Sequence, residues 1–154
     1  MGREQFILMT VGGLTLDPVT KTPIVILKDS ENKLNLPIWI GLLEATAMAT
    51  ELEGIKMARP MTHDLLRSVL AELGAVVEAI EVTDLRENTY YALIHLEVAG
   101  RRLTIDCRPS DAISLPRSVN QAFTIGMSRS TRSCVLRAVS LSGCLSAPSM
   151  PAAV

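Results

Sequence analysis

Aromatic side chains are scarce in this chain of 154 residues: one tryptophan, two tyrosines and two phenylalanines, 3% in all. Proteins that hold single-stranded nucleic acid stack successive bases on aromatic rings, and Trp39 with so few companions leaves little for such a platform. Cysteines are few and odd in number. Cys107, Cys134 and Cys144 are spaced 27 and 10 residues apart with no Cys-x-x-Cys pair. A disulfide framework or a zinc knuckle needs closer, paired spacing, so the three read as incidental thiols. No apolar run reaches the roughly 18 to 20 residues that span a bilayer. The opening MGREQFILMTVGG has no long apolar stretch ending in a small-residue cleavage site, as a secretion signal would. The expectation is a soluble, cytoplasmic protein with no membrane partner.

A basic excess is also missing. The 15 Lys and Arg against 16 Asp and Glu leave a formal charge of −1. Residues 1–115 hold 11 basic and 16 acidic side chains, a balance of −5, whereas residues 116–154 hold Arg117, Arg129, Arg132 and Arg137 and no acid. Phosphate binding normally leaves a basic footprint. Any polyanion site must therefore be local, or be built by assembling subunits. The G-x-S-x-G, Walker, G-x-G-x-x-G and H-E-x-x-H signatures are absent too, which removes the usual sequence pointers to those chemistries.

What is present is a globular body, 48% apolar and 20% charged, long enough for one domain with a core of its own. Residues 5–16, 22–28 and 34–40 read as strands, the last at a sheet edge or interrupted because Pro37 removes a ladder donor. Gly12-Gly13 reads as a bulge or bend in the first of them. Helices are expected over residues 42–53 and 63–73, closed by Gly54 and Gly74. Leu65, Leu66, Val69, Leu70 and Leu73 form one apolar stripe on the second helix. Three more strands follow at 76–85, 90–98 and 101–107, the first with Val76, Glu78, Ile80 and Val82 on one face. Close turns make them antiparallel neighbours. The expected class is α+β: an antiparallel-rich mixed sheet of about six strands with two or three helices. Past Leu115 the texture changes to serine, arginine and proline without periodicity. The expected division is a domain over 1–117 and a poorly determined tail over 118–154 that contributes little to the fold.

Two segments repeat one pattern. Arg59-Pro60-Met61-Thr62-His63-Asp64 and Arg108-Pro109-Ser110-Asp111 each set Arg-Pro ahead of a hydroxyl residue and then an acid. Helix capping explains everything except the arginines: Pro fixes the start, Thr62 or Ser110 caps, and the acid complements the dipole. The functional reading is that Arg59 and Arg108 flank helix N-termini that bind anions, with guanidinium forks matched to phosphate oxygens. His63 suits proton transfer, since imidazoles ordinarily titrate near neutrality. Adjacent helical residues do not face each other, so His63 and Asp64 are poorly placed to share one metal. His95, in an alternating strand, reads as a structural or surface histidine. Glu44, Asp64, Asp106 and Asp111 together offer carboxylates for a hard divalent cation.

The ordered series LPIWIGLLEA (36–45), RPMTHDLL (59–66), YYALIHLEV (90–98) and DCRPSDAISL (106–115) resembles the bifunctional nuclease family, over about residues 5–115. The resemblance implies an α+β fold, assembly into a homo-oligomer (a dimer in the first instance), and nuclease activity on DNA and RNA. It carries over onto Gly41, Glu44, Arg59, Pro60, Thr62, His63, Asp64, Asp106, Arg108, Pro109, Ser110 and Asp111. Relatives extend the SDAI helix and add a closing apolar strand. Here Pro116 breaks that helix and a Ser/Arg tail follows, as a shifted reading frame or a divergent terminus would produce.

The expectation is a phosphodiester hydrolase with nucleic acid as substrate. Arg59, Arg108, Thr62 and Ser110 bind phosphate in one cleft; His63, Asp64, Asp106 and Asp111 act in catalysis. Glu44, Asp64, Asp106 and Asp111 recruit a divalent ion such as Mg²⁺. The alternative is a non-catalytic oligomeric binding or regulatory module, in which the same motifs are caps and salt bridges.

Overall fold

Three short alternating segments open the chain as an antiparallel meander: β1 (Met9–Leu16), β2 (Pro23–Asp29) and β3 (Asn35–Trp39). The computed structural model describes residues 7–31, 33–87, 89–115 and 125–127. Helices α1 (Leu42–Leu52) and α2 (Thr62–Glu72) follow, then a second meander of β4 (Ala75–Arg86), β5 (Thr89–Val98) and β6 (Arg101–Cys107). The short helix α3 (Pro109–Ser114) and a three-residue strand β7 (Ile125–Met127) complete the described elements.

The sheet order is β3-β2-β1-β7-β4-β5-β6. β7 runs antiparallel to β1 and parallel to β4, and so joins two three-stranded halves into one seven-stranded α+β sheet. The six strands read from the sequence are all present, and β7 is a seventh. It is the described part of the segment 118–154; the rest of the expectation for that segment lies outside the described residues.

Alternation places the core. Met9, Val25, Leu27, Leu36 and Ile38 of the first half pack with Ala45 and Met48 of α1, and with Val82 and Ile113. Ile80, Ile94 and Leu96 of the second half pack with Ala112 and Leu115, with Leu70 and Val77 alongside. A fully buried side chain such as Leu27 or Leu36 contributes about 2 kcal/mol through the apolar surface it removes from water. α3 serves both clusters, Ile113 in one and Ala112 in the other.

Three local expectations change. β4 slips register between Val77 and Ala79; the extra residue of the bulge reverses the alternation. Val77, not Val76, therefore packs with Ile80, and Val76 and Glu78 are exposed. Of the apolar stripe on α2, only Leu70 packs against the core; Leu65, Leu66, Val69 and Leu73 are exposed, Leu73 at 67%. The helix touches the sheet along one line, so a stripe of that width is only partly covered. The caps also move by one or two residues. Met61 rather than Thr62 occupies the N-cap of α2, with the Asp64 carboxylate accepting its N–H at 3.0 Å. Arg108 rather than Ser110 occupies that of α3, with Pro109 in the first turn. An acid reaching back to the cap, or a proline with preset φ, makes a capping hydroxyl unnecessary.

Elsewhere the reading holds. Gly54 and Gly74 follow the two helices with φ of +66° and +68°, β1 slips register between Val11 and Gly13, and Pro37 lies in the edge strand β3. His95 is structural, its ring nitrogens 3.2 Å from Thr104 Oγ1 and 3.2 Å from Glu81 Oε2.

One carboxylate locks the first meander. Asp17, 1% exposed, accepts the Val19 and Thr20 N–H groups at 2.9 and 3.1 Å and the Trp39 indole N–H at 3.2 Å. These donors, the backbone ones first, hold its carboxyl below the usual carboxylate range. A lowered folded-state value gives stability that is complete above the unfolded value, about 3.9, and lost as pH falls through the folded one. Asp17→Asn should therefore unfold at lower urea than the parent at pH 7, and the gap should narrow below about pH 4. The fluorescence of Trp39, the chain's one tryptophan, reads both transitions. A gap unchanged across that range contradicts the assignment.

Candidate functional site: two Arg-Pro helix starts

All three described helices carry an acid in the first turn: Glu44 in α1, Asp64 in α2 and Asp111 in α3. Each complements the partial positive charge of the helix start. What separates the two Arg-Pro motifs is what each arginine finds there.

Arg108 finds carboxylates. Its Nε and Nη2 donate to the two oxygens of Asp111 at 2.7 and 2.8 Å, and Nη2 also donates to Glu44 Oε1 at 2.8 Å. This fork ties the start of α3 to the start of α1. Gly41, the N-cap of α1, makes room for it: a Cβ there would collide with the Glu44 carboxylate. The Gly-x-x-Glu spacing in IGLLEA thus lets Glu44 fold back toward Arg108. Asp111, then Glu44, push the Arg108 guanidinium above its already high range. One cation between two anions leaves this corner net negative. Beside it, Trp39, Gly41, Tyr90, Arg108 and Ser110 border a cavity of about 220 Å³.

Arg59 finds open space. It lines a separate cleft of about 330 Å³ with Glu51, Lys56, Pro60, Met61, His63, Asp64 and Ser68. Neither Lys56 nor Arg59 makes an ion pair among the described residues. His63 Nε2 lies 3.7 Å from Asp64 Oδ1, so these neighbours approach each other in the first turn, contrary to the expectation from ideal helix spacing. Arg67 Nη1 lies 3.5 Å from Asp64 and 3.9 Å from Glu51. Three cations therefore face two anions here, before any charge on His63. Arg67 also donates to the carbonyls of Ser114 and Leu115, at 3.3 and 3.0 Å, capping the far end of α3.

The expected site is thus divided. His63, Asp64 and Arg59 come together; Glu44, Arg108, Ser110 and Asp111 come together elsewhere; Thr62 is exposed at the start of α2 and Asp106 is exposed on β6. The two arginines line different cavities rather than one cleft. The four carboxylates do not converge: among the described residues no three His, Cys, Asp or Glu side chains are grouped to hold a metal. Glu44 and Asp111 already share a guanidinium. Within one protomer this donor set does not fit a resident divalent ion. The sequence reading passed over Lys56 and Arg67. Lys56 sits three residues before Arg59, and Arg67 three after Asp64, spacings that charge pattern alone could have flagged.

Geometry and sequence agree on the class, an α+β domain whose marked sequence motifs sit at helix starts. Residues 25–130 match the bifunctional nuclease domain family, and the chain belongs to it. The match takes in β7 and runs past residue 117. Two proteins of Mycobacterium tuberculosis are similar: "Uncharacterized protein MT1877" of strain CDC 1551 / Oshkosh and "Uncharacterized protein Rv1829" of strain ATCC 25618 / H37Rv. Each is 35% identical over 105 residues, which is 68% of this chain and 62% of the relative. The match thus spans less than two thirds of those relatives. Among the described residues, no helix is long and apolar enough to cross a membrane.

Cys107, between Asp106 and Arg108, is not built as a nucleophile. Burial first, then the charges of Asp106 and Asp111, push its thiol up to about 11 from 9.0, and Sγ lies 3.6 Å from the Ala92 carbonyl oxygen. Two pH units cost about a hundredfold in thiolate. At pH 8 iodoacetamide should label the Cys107 peptide about a hundredfold more slowly in the folded protein than in urea, as peptide mass spectrometry would read. Equal rates contradict the burial.

Proposed function

We propose that this domain hydrolyses phosphodiester bonds of DNA and RNA at the cleft before α2. The observation that carries this reading is that two cations without ion-pair partners among the described residues, Lys56 and Arg59, share the cleft with His63 and Asp64. Membership of the bifunctional nuclease domain family supports it. Lys56 and Arg59 neutralise the scissile phosphate and hold it near the N–H groups of the helix start. His63 takes the proton of an attacking water as the new O–P bond forms and the leaving oxygen departs. Asp64 stabilises the imidazolium, much as carboxylates do for general-base histidines elsewhere. Arg67 keeps Asp64 in place from α2.

The second reading, a binding or regulatory module without catalysis, draws on Arg108. Its charge is consumed by Asp111 and Glu44, as a structural brace requires, and the body of the domain is acidic overall. The two readings divide the motifs between them: the α2 start acts on substrate, and the α3 start braces the fold.

The test is cleavage of single-stranded DNA and RNA by the purified full chain and its variants, each prepared identically to expose contaminating nuclease. His63→Ala should lower turnover about a hundredfold or more. Arg59→Ala should act mainly on KM, by about tenfold. Asp111→Asn should change either by less than that, while lowering stability. Equal cleavage by parent and His63→Ala, both folded, would assign the activity to a contaminant and leave the binding module.

A further inference from the structure

The two edges of the sheet are not alike. β3 carries Pro37, which blunts one edge. β6, at the other, has seven residues with neither proline nor bulge, and six of them, Arg101 to Asp106, are exposed. Every second residue of β6 directs its N–H and C=O away from β5, and no described segment pairs with them. Leu103 and Ile105, opposite buried Leu96 and Ile94 on β5, remain 42% and 48% exposed.

We propose that β6 is the contact edge between two copies of this chain, paired antiparallel about a two-fold axis at Thr104. That centre is the midpoint of the strand, so all seven residues find partners. It sets Arg102 opposite Asp106 of the second copy, twice by symmetry, on one face. On the other face it sets Leu103 opposite Ile105, also twice. Opposite charges and apolar pairs directly across a ladder both favour pairing. Antiparallel geometry permits shifts of the centre only by whole residues, and the neighbouring centres lose these matches. Centring on Leu103 puts Arg101 against Ile105; centring on Ile105 puts Arg102 against Arg108. Within its own protomer Arg102 lies 3.4 Å from Glu78 and is 82% exposed, a pair weak enough to exchange. Asp106 makes no hydrogen bond or ion pair among the described residues. The chain's own residues 118–154 offer no acid to face Arg101 and Arg102, which favours a second copy as occupant of the edge. A seven-residue ladder is small beside a standard interface, so the dimer dissociates in the micromolar range.

Sedimentation of the full chain over a concentration series tests this. The parent should pass from monomer to dimer. Arg102→Asp and Asp106→Arg should each weaken dimerisation about tenfold or more, because each sets like charges opposite one another. Both sites are exposed, so melting temperatures should barely move. Mixing the two single variants should restore the dimer, since each then supplies the charge the other lacks; no effect within one protomer produces that rescue. A parent that stays monomeric, or single variants that dimerise as the parent does, overturns the proposal. So does hydrogen exchange in residues 101–107 that is slow at every concentration, because the chain's own segment would then cover the edge.

Discussion

The guanidinium of Arg108 ties the start of α3 to the start of α1. α3 has six residues, too few to be stable as an isolated helix. It nevertheless supplies Ile113 to one core cluster and Ala112 and Leu115 to the other. Arg108 fastens its first turn to α1 through Asp111 and Glu44, and Arg67 of α2 fastens its last carbonyls. Two arginines thus clamp one short helix between both halves of the sheet. That clamp links the three described helices through side-chain contacts.

The consequence is a division of labour between two motifs of similar sequence. An anion approaching the α3 start meets a guanidinium already shared by two carboxylates, and a corner of net negative charge. An anion approaching the α2 start meets Lys56 and Arg59 without ion-pair partners among the described residues, with Arg67 offsetting the nearby acids. The acidic body and the nucleic-acid substrate we propose are reconciled in this way: the footprint is local. Residues two turns apart on α2 serve both ends of the arrangement, His63 at the cleft and Leu70 in the core.

Much of the frame was legible in the sequence because local rules enforce it. The β-branched run in residues 22–28, the tight Ala99-Gly100 turn before residues 101–107, and Gly54 and Gly74 after the helices each act within a few residues, and each stands where expected. The bulge at Val77 was not legible, because a single inserted residue leaves no compositional mark and only its partner strand reveals it. Nor was the burial of α2, since an apolar stripe records what a helix could cover and not how much of it the sheet reaches. At the site, the residue types were found but not their grouping. Two Arg-Pro motifs look equivalent until Glu44, 64 residues before Arg108 in the chain, folds back over Gly41 and claims one of them. That contact is tertiary, and the pattern of either motif alone does not contain it.

The division between the two helix starts is most directly tested by amide chemical-shift mapping with a short oligonucleotide carrying non-hydrolysable phosphorothioate links. Perturbations should centre on Lys56, Arg59 and His63 and leave Arg108 and Asp111 where they were. Shifts centred on Arg108 and Asp111, with the Arg59 cleft silent, would contradict it.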